Sequence, residues 1–147
     1  MAQTASDSLF RLIKKHIITQ NYDDDQWNLS KASAELLGEL SQCTSQDFIQ
    51  GIIEFVGQCF QSNDEHIKHG ALIAFGSILS TSHHNFLFPI VNNCIDTMFS
   101  YILDQNAALH IRCVSAWVMK HISMNFGDDF AKDKEMFNKI MAKLLQI

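Results

Sequence analysis

The chain has 147 residues, of which 47% are hydrophobic, and its formal net charge at pH 7 is −5. The acidic balance and the lack of a basic stripe argue against a nucleic-acid interface, and no apolar run reaches the length of a membrane span or resembles a secretion signal. The four cysteines lack C-x-x-C spacing, which argues against zinc. Their helical setting predicts buried free thiols in a reducing compartment.

The first half of the chain is predicted to form four helices, because its apolar residues recur at helical spacing and the whole chain has one proline. A polar loop with three consecutive aspartates separates the first two helices. Thr44, with Asp47 three residues later, is predicted to cap the third helix, and the segment Asn63-Asp64-Glu65 to end it. The predicted ranges of the first, second and fourth helices are 6–20, 27–42 and 66–79.

Three more helices are predicted in the second half, after a loop at residues 80–84. The fifth helix runs to about Ile102 and tolerates Pro89 only in its first turn. The sixth spans about 107–123 and the seventh lies within 131–147. Apolar side chains at helical spacing are predicted to be core: Met98, Phe99, Met119, Phe137 and Met141. The core face of the sixth helix is predicted to be Ile111, Val114 or Ser115, Val118 and Ile122.

A repeat joins these helices into one architecture. Lys31, Lys68 and Arg112 occupy similar positions near helix starts, 37 and 44 residues apart. A period of about 40 to 47 residues with paired helices is typical of HEAT or armadillo solenoids. We therefore predict an all-α fold, an α-solenoid of about three and a half HEAT repeats. The predicted repeats are 6–42, 45–79 and 85–123, and 131–147 is the first helix of a further repeat.

The unpaired seventh helix predicts that the chain is a piece of a longer protein, since a solenoid normally ends in a polar cap. The two ends are then expected to expose apolar surface and to promote self-association. The residues expected to line these ends are Phe10, Ile13 and Ile17 on one side, and Ile140, Leu144 and Leu145 on the other.

Asp23-Asp24-Asp25-Gln26-Trp27-Asn28 is the first of three segments that carry a resemblance. It is similar to the acidic loop and Trp-Asn pair of the eighth repeat in the importin-beta branch of the karyopherin family of nuclear transport receptors. The segment 71–79 is similar to the second helix of the ninth repeat. Ile111-Arg112, with Ser115-Ala116-Trp117 and Ile122, resembles the second helix of the tenth. Their order and separation fit the family, so the resemblance covers most of the chain, from the eighth to the eleventh repeat.

The resemblance implies a binding protein that shuttles between cytoplasm and nucleus. Such receptors hold the basic segment of importin alpha or of cargo on their inner face, and the GTP-bound form of the GTPase Ran releases it. Nucleoporins bind through other repeats. Carried over by position, the protein-binding residues are Asp23, Asp24, Asp25 and Trp27 around the acidic loop, and Trp117 on the inner surface. Trp117 lies at the edge of the core stripe of its helix, where it can pack partly and still stack on a guanidinium.

Other interpretations remain open at this point. The aspartates alone fit a solvated loop, and Trp117 alone fits a core residue. The repeated cations are predicted to bond neighbouring repeats. Transportin is the nearest alternative for the parent protein, and a HEAT scaffold that holds an enzyme, as a phosphatase regulatory subunit does, is an alternative of another class. His83 and His84 lack a third metal ligand, and no catalytic motif or phosphate loop occurs. No enzyme activity, metal or cofactor is predicted.

Overall fold

Helices account for almost all of the structure, a computed structural model that describes residues 2–18 and 29–147. No strand occurs in these two ranges, so the all-α prediction is confirmed. A 3₁₀ turn, Ile78–Ser80, follows the fourth of the seven helices. The helices are α1 (Ala2–Ile17), α2 (Leu29–Cys43), α3 (Gln46–Phe60), α4 (Glu65–Ser77), α5 (His84–Leu103), α6 (Leu109–Lys132) and α7 (Lys134–Leu144).

The chain divides into two compact units, residues 1–82 and 83–147. In the first unit α1 packs on α2 and α3 packs on α4, and α2 also contacts α4 and the 3₁₀ turn. Two long-range hydrogen bonds support these contacts. The Ser30 hydroxyl donates to the Ile17 carbonyl at 3.2 Å, and the Thr81 hydroxyl donates to the Ser41 carbonyl at 2.6 Å.

Gly70 lies where α4 comes close to the end of α1. A Cβ atom placed on Gly70 would lie 2.6 Å from the Ile17 carbonyl oxygen and 2.9 Å from the Ile18 Cα. Because both are backbone atoms, α4 can pack this closely on the end of α1 only where a side chain is absent. The expected exposure of the N-terminal apolar residues is wrong in part: Ile13 and Ile17 are 2% and 0% exposed, since α2 and α4 cover α1. The Phe10 side chain is outside the described part.

In the second unit α5 packs along α6, and α6 contacts α7. The predicted core face of α6 is confirmed, since Ile111, Val114, Ser115, Val118 and Ile122 are all buried. Two lysines of α7 form ion pairs with Asp96 of α5. Lys139 Nζ lies 2.6 Å from Asp96 Oδ2, and Lys143 Nζ lies 3.4 Å from Asp96 Oδ1. These lysines, chiefly Lys139 through its hydrogen bond, lower the pKa of the Asp96 carboxyl.

Core predictions for α7 are wrong, whereas those for α5 and α6 are confirmed. Met98, Phe99 and Met119 are buried, but Phe137 and Met141 are 45% and 41% exposed. The reason is that α7 packs on its unit through one side only. Leu144 and Leu145 are exposed, as expected for this end of the chain, and Ile140 is half-buried.

Several helix ends differ from the prediction. Ser45, not Thr44, is the N-cap residue of α3, and its side chain makes no capping bond. Asp64 does not end α3, which stops at Phe60; its side chain instead accepts a hydrogen bond from the His66 amide and caps α4. Helix α1 begins before residue 6, and its predicted end at residue 20 lies outside the described residues. Helix α6 continues nine residues past its predicted end, to Lys132.

Length and composition would let α5 cross a membrane, which the sequence analysis did not anticipate. Core helices of soluble proteins pass the same test. Helix α5 buries an apolar face inside its own unit, so we interpret it as a core helix. The buried residues are Leu87, Val91, Ile95, Met98, Phe99 and Ile102.

Pro89 is the sixth residue of α5, not in its first turn as expected. Proline has no amide N–H, so the Asn85 carbonyl four residues earlier loses its helical hydrogen bond, and the ring crowds that carbonyl. Both residues are exposed, so water can solvate the carbonyl that lacks this bond.

We expect Pro89→Ala to stabilise the protein by about 1 to 2 kcal/mol. A proline inside a helix costs about 3 kcal/mol, and its removal should recover much of this cost. Alanine also makes the unfolded chain more flexible, which offsets the gain in stability by about 0.4 to 1 kcal/mol. Urea unfolding followed by circular dichroism measures the change. Asn85→Ala, which leaves the proline in place, is the control and should change stability by less than about 0.5 kcal/mol. A destabilised Pro89→Ala protein would contradict the helical geometry of α5 at this point.

Candidate protein-binding site

Trp117 lies on α6 just outside the buried stripe, as predicted. Val114, three residues earlier, and Val118, the next residue, are buried, whereas Trp117 itself is half-buried. Cys113, one turn earlier, is exposed. The Trp117 side chain is therefore partly accessible, and a partly accessible indole can contact a ligand.

His121, one turn after Trp117, packs against the indole. The two ring centroids are 4.3 Å apart, with an angle of 53° between the ring planes. Burial, reinforced by the charge of Lys120, lowers the pKa of the His121 imidazole. The imidazole is therefore neutral at pH 7 and places no positive charge against the indole.

The other predicted binding residues, Asp23, Asp24, Asp25 and Trp27, lie outside the described residues, so their position relative to Trp117 stays a prediction. The sequence does locate the negative charge. Residues 1–82 contain ten Asp or Glu and five Lys or Arg, whereas residues 83–147 contain six of each. The net charge of −5 therefore belongs entirely to the first unit, and the aspartate triplet supplies a large part of it.

Arg112, the third of the repeated cations, has a structural role. Its Nε donates a 3.1 Å hydrogen bond to the Ile102 carbonyl near the end of α5. This carbonyl belongs to the last turn of a helix, where carbonyls lack helical partners and favour cations. The structural interpretation of Arg112 is thus supported, but the bond joins the two helices of one hairpin, where the sequence analysis expected a bond to the neighbouring repeat.

Comparison with known proteins identifies relatives of one kind. No family model matches the chain. The chain is 26% identical over 147 residues to importin subunit beta-1 of Schizosaccharomyces pombe, covering 99% of this chain and 17% of that protein. It is 25% identical over 114 residues to importin subunit beta-1 of Arabidopsis thaliana, covering 78% of this chain and 13% of that protein. The Saccharomyces cerevisiae importin subunit beta-1 is 23% identical over 128 residues, 86% of this chain and 15% of that protein.

Solved structures agree with the sequence comparison. Importin beta crystallised from ammonium sulfate superimposes with a TM-score of 0.81 at 21% identity, covering 97% of this chain and 16% of that one. Kap95p, in a structure concerned with its binding to RanGDP, superimposes with a TM-score of 0.83 at 19% identity, covering 99% and 17%. The chain is similar to importin beta over almost its whole length. The predicted HEAT-repeat α-solenoid fold is thereby confirmed, and the chain spans about one sixth of the length of these relatives.

One side-chain cluster of the second unit was not predicted. His84, assigned to a loop from the sequence, is the first residue of α5, and its Nε2 lies 2.8 Å from Asp129 Oδ2 near the end of α6. The His84 ring also stacks on Phe126, with centroids 4.3 Å apart and planes 19° apart. The hydrogen bond with His84 is the main cause of a lowered pKa at Asp129. Because 45 residues separate the pair, no local sequence signal identifies it.

The described residues offer no metal site, since they contain no group of three or more His, Cys, Asp or Glu side chains suited to one ion. The prediction of buried thiols holds in part. Cys59 is buried and Cys94 half-buried, and burial raises the pKa of both thiols. Cys43 and Cys113 are exposed, since each lies on the outer side of its helix.

Proposed function

We propose that this chain is part of a nuclear import receptor of the importin-beta kind, which binds the basic segment of importin alpha or of cargo. The observation that carries the proposal is the match to importin subunit beta-1 over 99% of the chain. The acidic charge of residues 1–82, with ten carboxylates against five Lys or Arg, supports the proposal. A basic ligand would reduce the repulsion among Asp23, Asp24 and Asp25.

In the proposed mechanism the aspartates attract the ligand and aromatic side chains hold it. Trp117 is half-buried, and a guanidinium that stacks on its indole would contribute about 0.5 to 2 kcal/mol. Trp27, next to the aspartates in the sequence, has the same role beside the loop. GTP-bound Ran would release the ligand by binding the same receptor, which requires a coupling free energy of about 1 to 3 kcal/mol. The Kap95p structure that concerns RanGDP supports Ran as the partner class. The receptor would act in cytoplasm and nucleus.

We expect the chain to bind an arginine-rich helical peptide with a Kd of roughly micromolar or weaker, because so short a segment holds only part of the ligand. Replacing Asp23, Asp24 and Asp25 together by Asn should weaken binding most at low salt, since salt screens Coulomb attraction. Trp117→Ala should weaken binding at every salt concentration, because stacking and area burial are not screened. Fluorescence anisotropy with a labelled peptide measures both effects.

The matched control for the aspartates is a triple variant with Gln at Glu35, Glu39 and Glu54, three exposed carboxylates elsewhere in the first unit. This control removes the same amount of charge. If the acidic loop binds the peptide specifically, the aspartate variant should lose more affinity than the control. Adding GTP-bound Ran should displace the peptide, and GDP-bound Ran should displace less. If the aspartate variant and Trp117→Ala both bind like the unchanged chain at low salt, the chain is a HEAT scaffold for a folded partner and not a receptor for basic segments.

A further inference from the structure

His121 is in contact with Trp117, and the proposed function gives this histidine no role. The two residues are four positions apart on α6, so their side chains are neighbours on one side of the helix. Their ring centroids are 4.3 Å apart, the ring planes are tilted by 53°, and both side chains are half-buried. The imidazole therefore limits the orientations of the indole, because a rotation of the indole toward His121 meets another ring.

The charge of His121 changes on acidification, whereas the charge of an arginine-rich ligand does not. Burial, with a smaller contribution from Lys120, lowers the pKa of the His121 imidazole. This side chain therefore becomes a cation only in solutions more acidic than those that protonate an ordinary imidazole. A guanidinium keeps its charge throughout this range. Acidification thus adds a positive charge beside Trp117 and leaves the charge of the ligand unchanged.

The other charges on this side of α6 do not change that result. Lys120 precedes His121 in the sequence, and Asp128 lies two turns later, about 10 Å along the helix axis. Both are exposed. Asp128 attracts a basic ligand and Lys120 repels it whether or not His121 is charged, so their effects offset each other in part. Two further titratable residues share this side of the helix, His110 two turns before Trp117 and Cys113 one turn before it.

Helices α5 and α7 contact α6, but their charges do not contribute to the lowered pKa of His121. Three of these charges are paired with one another, since Asp96 binds Lys139 and Lys143. His84 binds Asp129 at the far end of α6. The complete set of His, Asp, Glu and Lys residues in the two helices is His84 and Asp96 in α5, and Lys134, Glu135, Lys139 and Lys143 in α7.

We propose that His121 is a positioning residue for Trp117 and that protonation of His121 weakens the binding of a basic segment to that indole. The proposal rests on the proposed function, since it requires a guanidinium to stack on Trp117. Neutral His121 only packs against the indole. Protonated His121 is a cation within the distance of about 6 Å at which cations interact with an indole. It therefore competes with the guanidinium for the same ring and repels it.

Binding of the labelled arginine-rich peptide, measured by fluorescence anisotropy at constant ionic strength, tests the proposal. The affinity should fall between about pH 7.5 and pH 5, at least about threefold more than in His121→Phe. His121→Phe keeps an aromatic ring against Trp117 but does not titrate, so it should bind within about twofold of the unchanged chain at the higher pH. His121→Ala should bind more weakly at both pH values, because the packing is lost. His66→Gln removes an exposed histidine of α4 and, as the control, should keep the full pH dependence.

The contact between the two rings is measured without any ligand. Trp27→Phe leaves Trp117 as the remaining tryptophan of the two in the chain. The emission of Trp117 should then change on acidification, with a midpoint below about pH 6.5, the usual imidazole value. Adding His121→Phe to this variant should abolish the change, because no imidazole remains beside the indole.

Three results would each overturn the proposal alone while the peptide still binds at pH 7.5. These are an equal loss of affinity on acidification in the unchanged chain and in His121→Phe, a loss that His66→Gln removes, and an emission of Trp117 that does not depend on His121. A peptide that binds at no pH instead contradicts the import-receptor function, and the proposal then fails with it. The emission titration distinguishes the two failures, because it reports the contact of His121 with Trp117 whether or not the peptide binds.

Discussion

Phe126→Ala should lower the free energy of unfolding by about 3 to 5 kcal/mol, the usual cost of removing a fully buried phenylalanine side chain. Phe126 is 0% exposed and holds the far end of α6 against the start of α5. Its ring stacks on His84 at 4.3 Å and on Phe88 at 6.3 Å. The truncation therefore removes buried area, leaves a cavity and removes the ring on which His84 stacks.

Urea unfolding followed by circular dichroism measures this loss. Met124→Ala, two residues away on the same helix but 69% exposed, is the control and should change stability by less than about 0.5 kcal/mol. Phe126→Leu should fall between the two, because it keeps part of the buried volume. Similar values for Phe126→Ala and Met124→Ala would mean that α6 does not pack on α5 beyond Ser123.

Gly70→Ala is expected to destabilise the first unit by about 2 to 3 kcal/mol, within the range of overpacked sites. The added methyl group meets the Ile17 carbonyl oxygen at 2.6 Å and the Ile18 Cα at 2.9 Å, so α4 must move away from the end of α1. The separation reduces the packing that keeps Ile17 0% exposed. The clash outweighs the gain in helix propensity, which is about 1 kcal/mol for this substitution.

Two other helical glycines provide matched controls. Neither Gly57 nor Gly127 has an atom within 4 Å of an added Cβ. Gly57→Ala and Gly127→Ala should therefore stabilise the protein by about 0.5 to 1 kcal/mol, opposite in sign to Gly70→Ala. Thermal unfolding of the three variants compares them directly. A stabilised Gly70→Ala variant would show that α1 and α4 are farther apart than the structure places them.

The sequence predicted the features that depend on helical periodicity. The stripe from Ile111 to Ile122 identified both the core face of α6 and the position of Trp117 beside it, because one period determines both. The end of α6 was missed since Ser123 and Gly127-Asp128-Asp129 weaken helix propensity, and the packing of Phe126 and Phe130 outweighs this.

Features that depend on distances between helices could not be predicted. The space around Gly70 depends on the distance between α1 and α4, which the sequence does not contain. The His84–Asp129 pair joins residues 45 positions apart. Exposure of Phe137 and Met141 depends on which helices surround α7, and no periodic pattern within α7 contains that information. Among the binding residues, Trp117 was placed correctly with respect to its helix, and the role of the acidic loop stays a prediction.

The uneven charge of the two units has a kinetic consequence. Because the surplus of carboxylates belongs to residues 1–82 and the remainder is neutral overall, the electric field at long range is strongest around the first unit. A basic ligand should therefore meet that unit first, and its association rate constant should fall steeply as ionic strength rises. Its dissociation rate constant should depend on short-range contacts such as those of Trp117 and change little with salt. Encounter and retention of one ligand would then be governed by different parts of the chain.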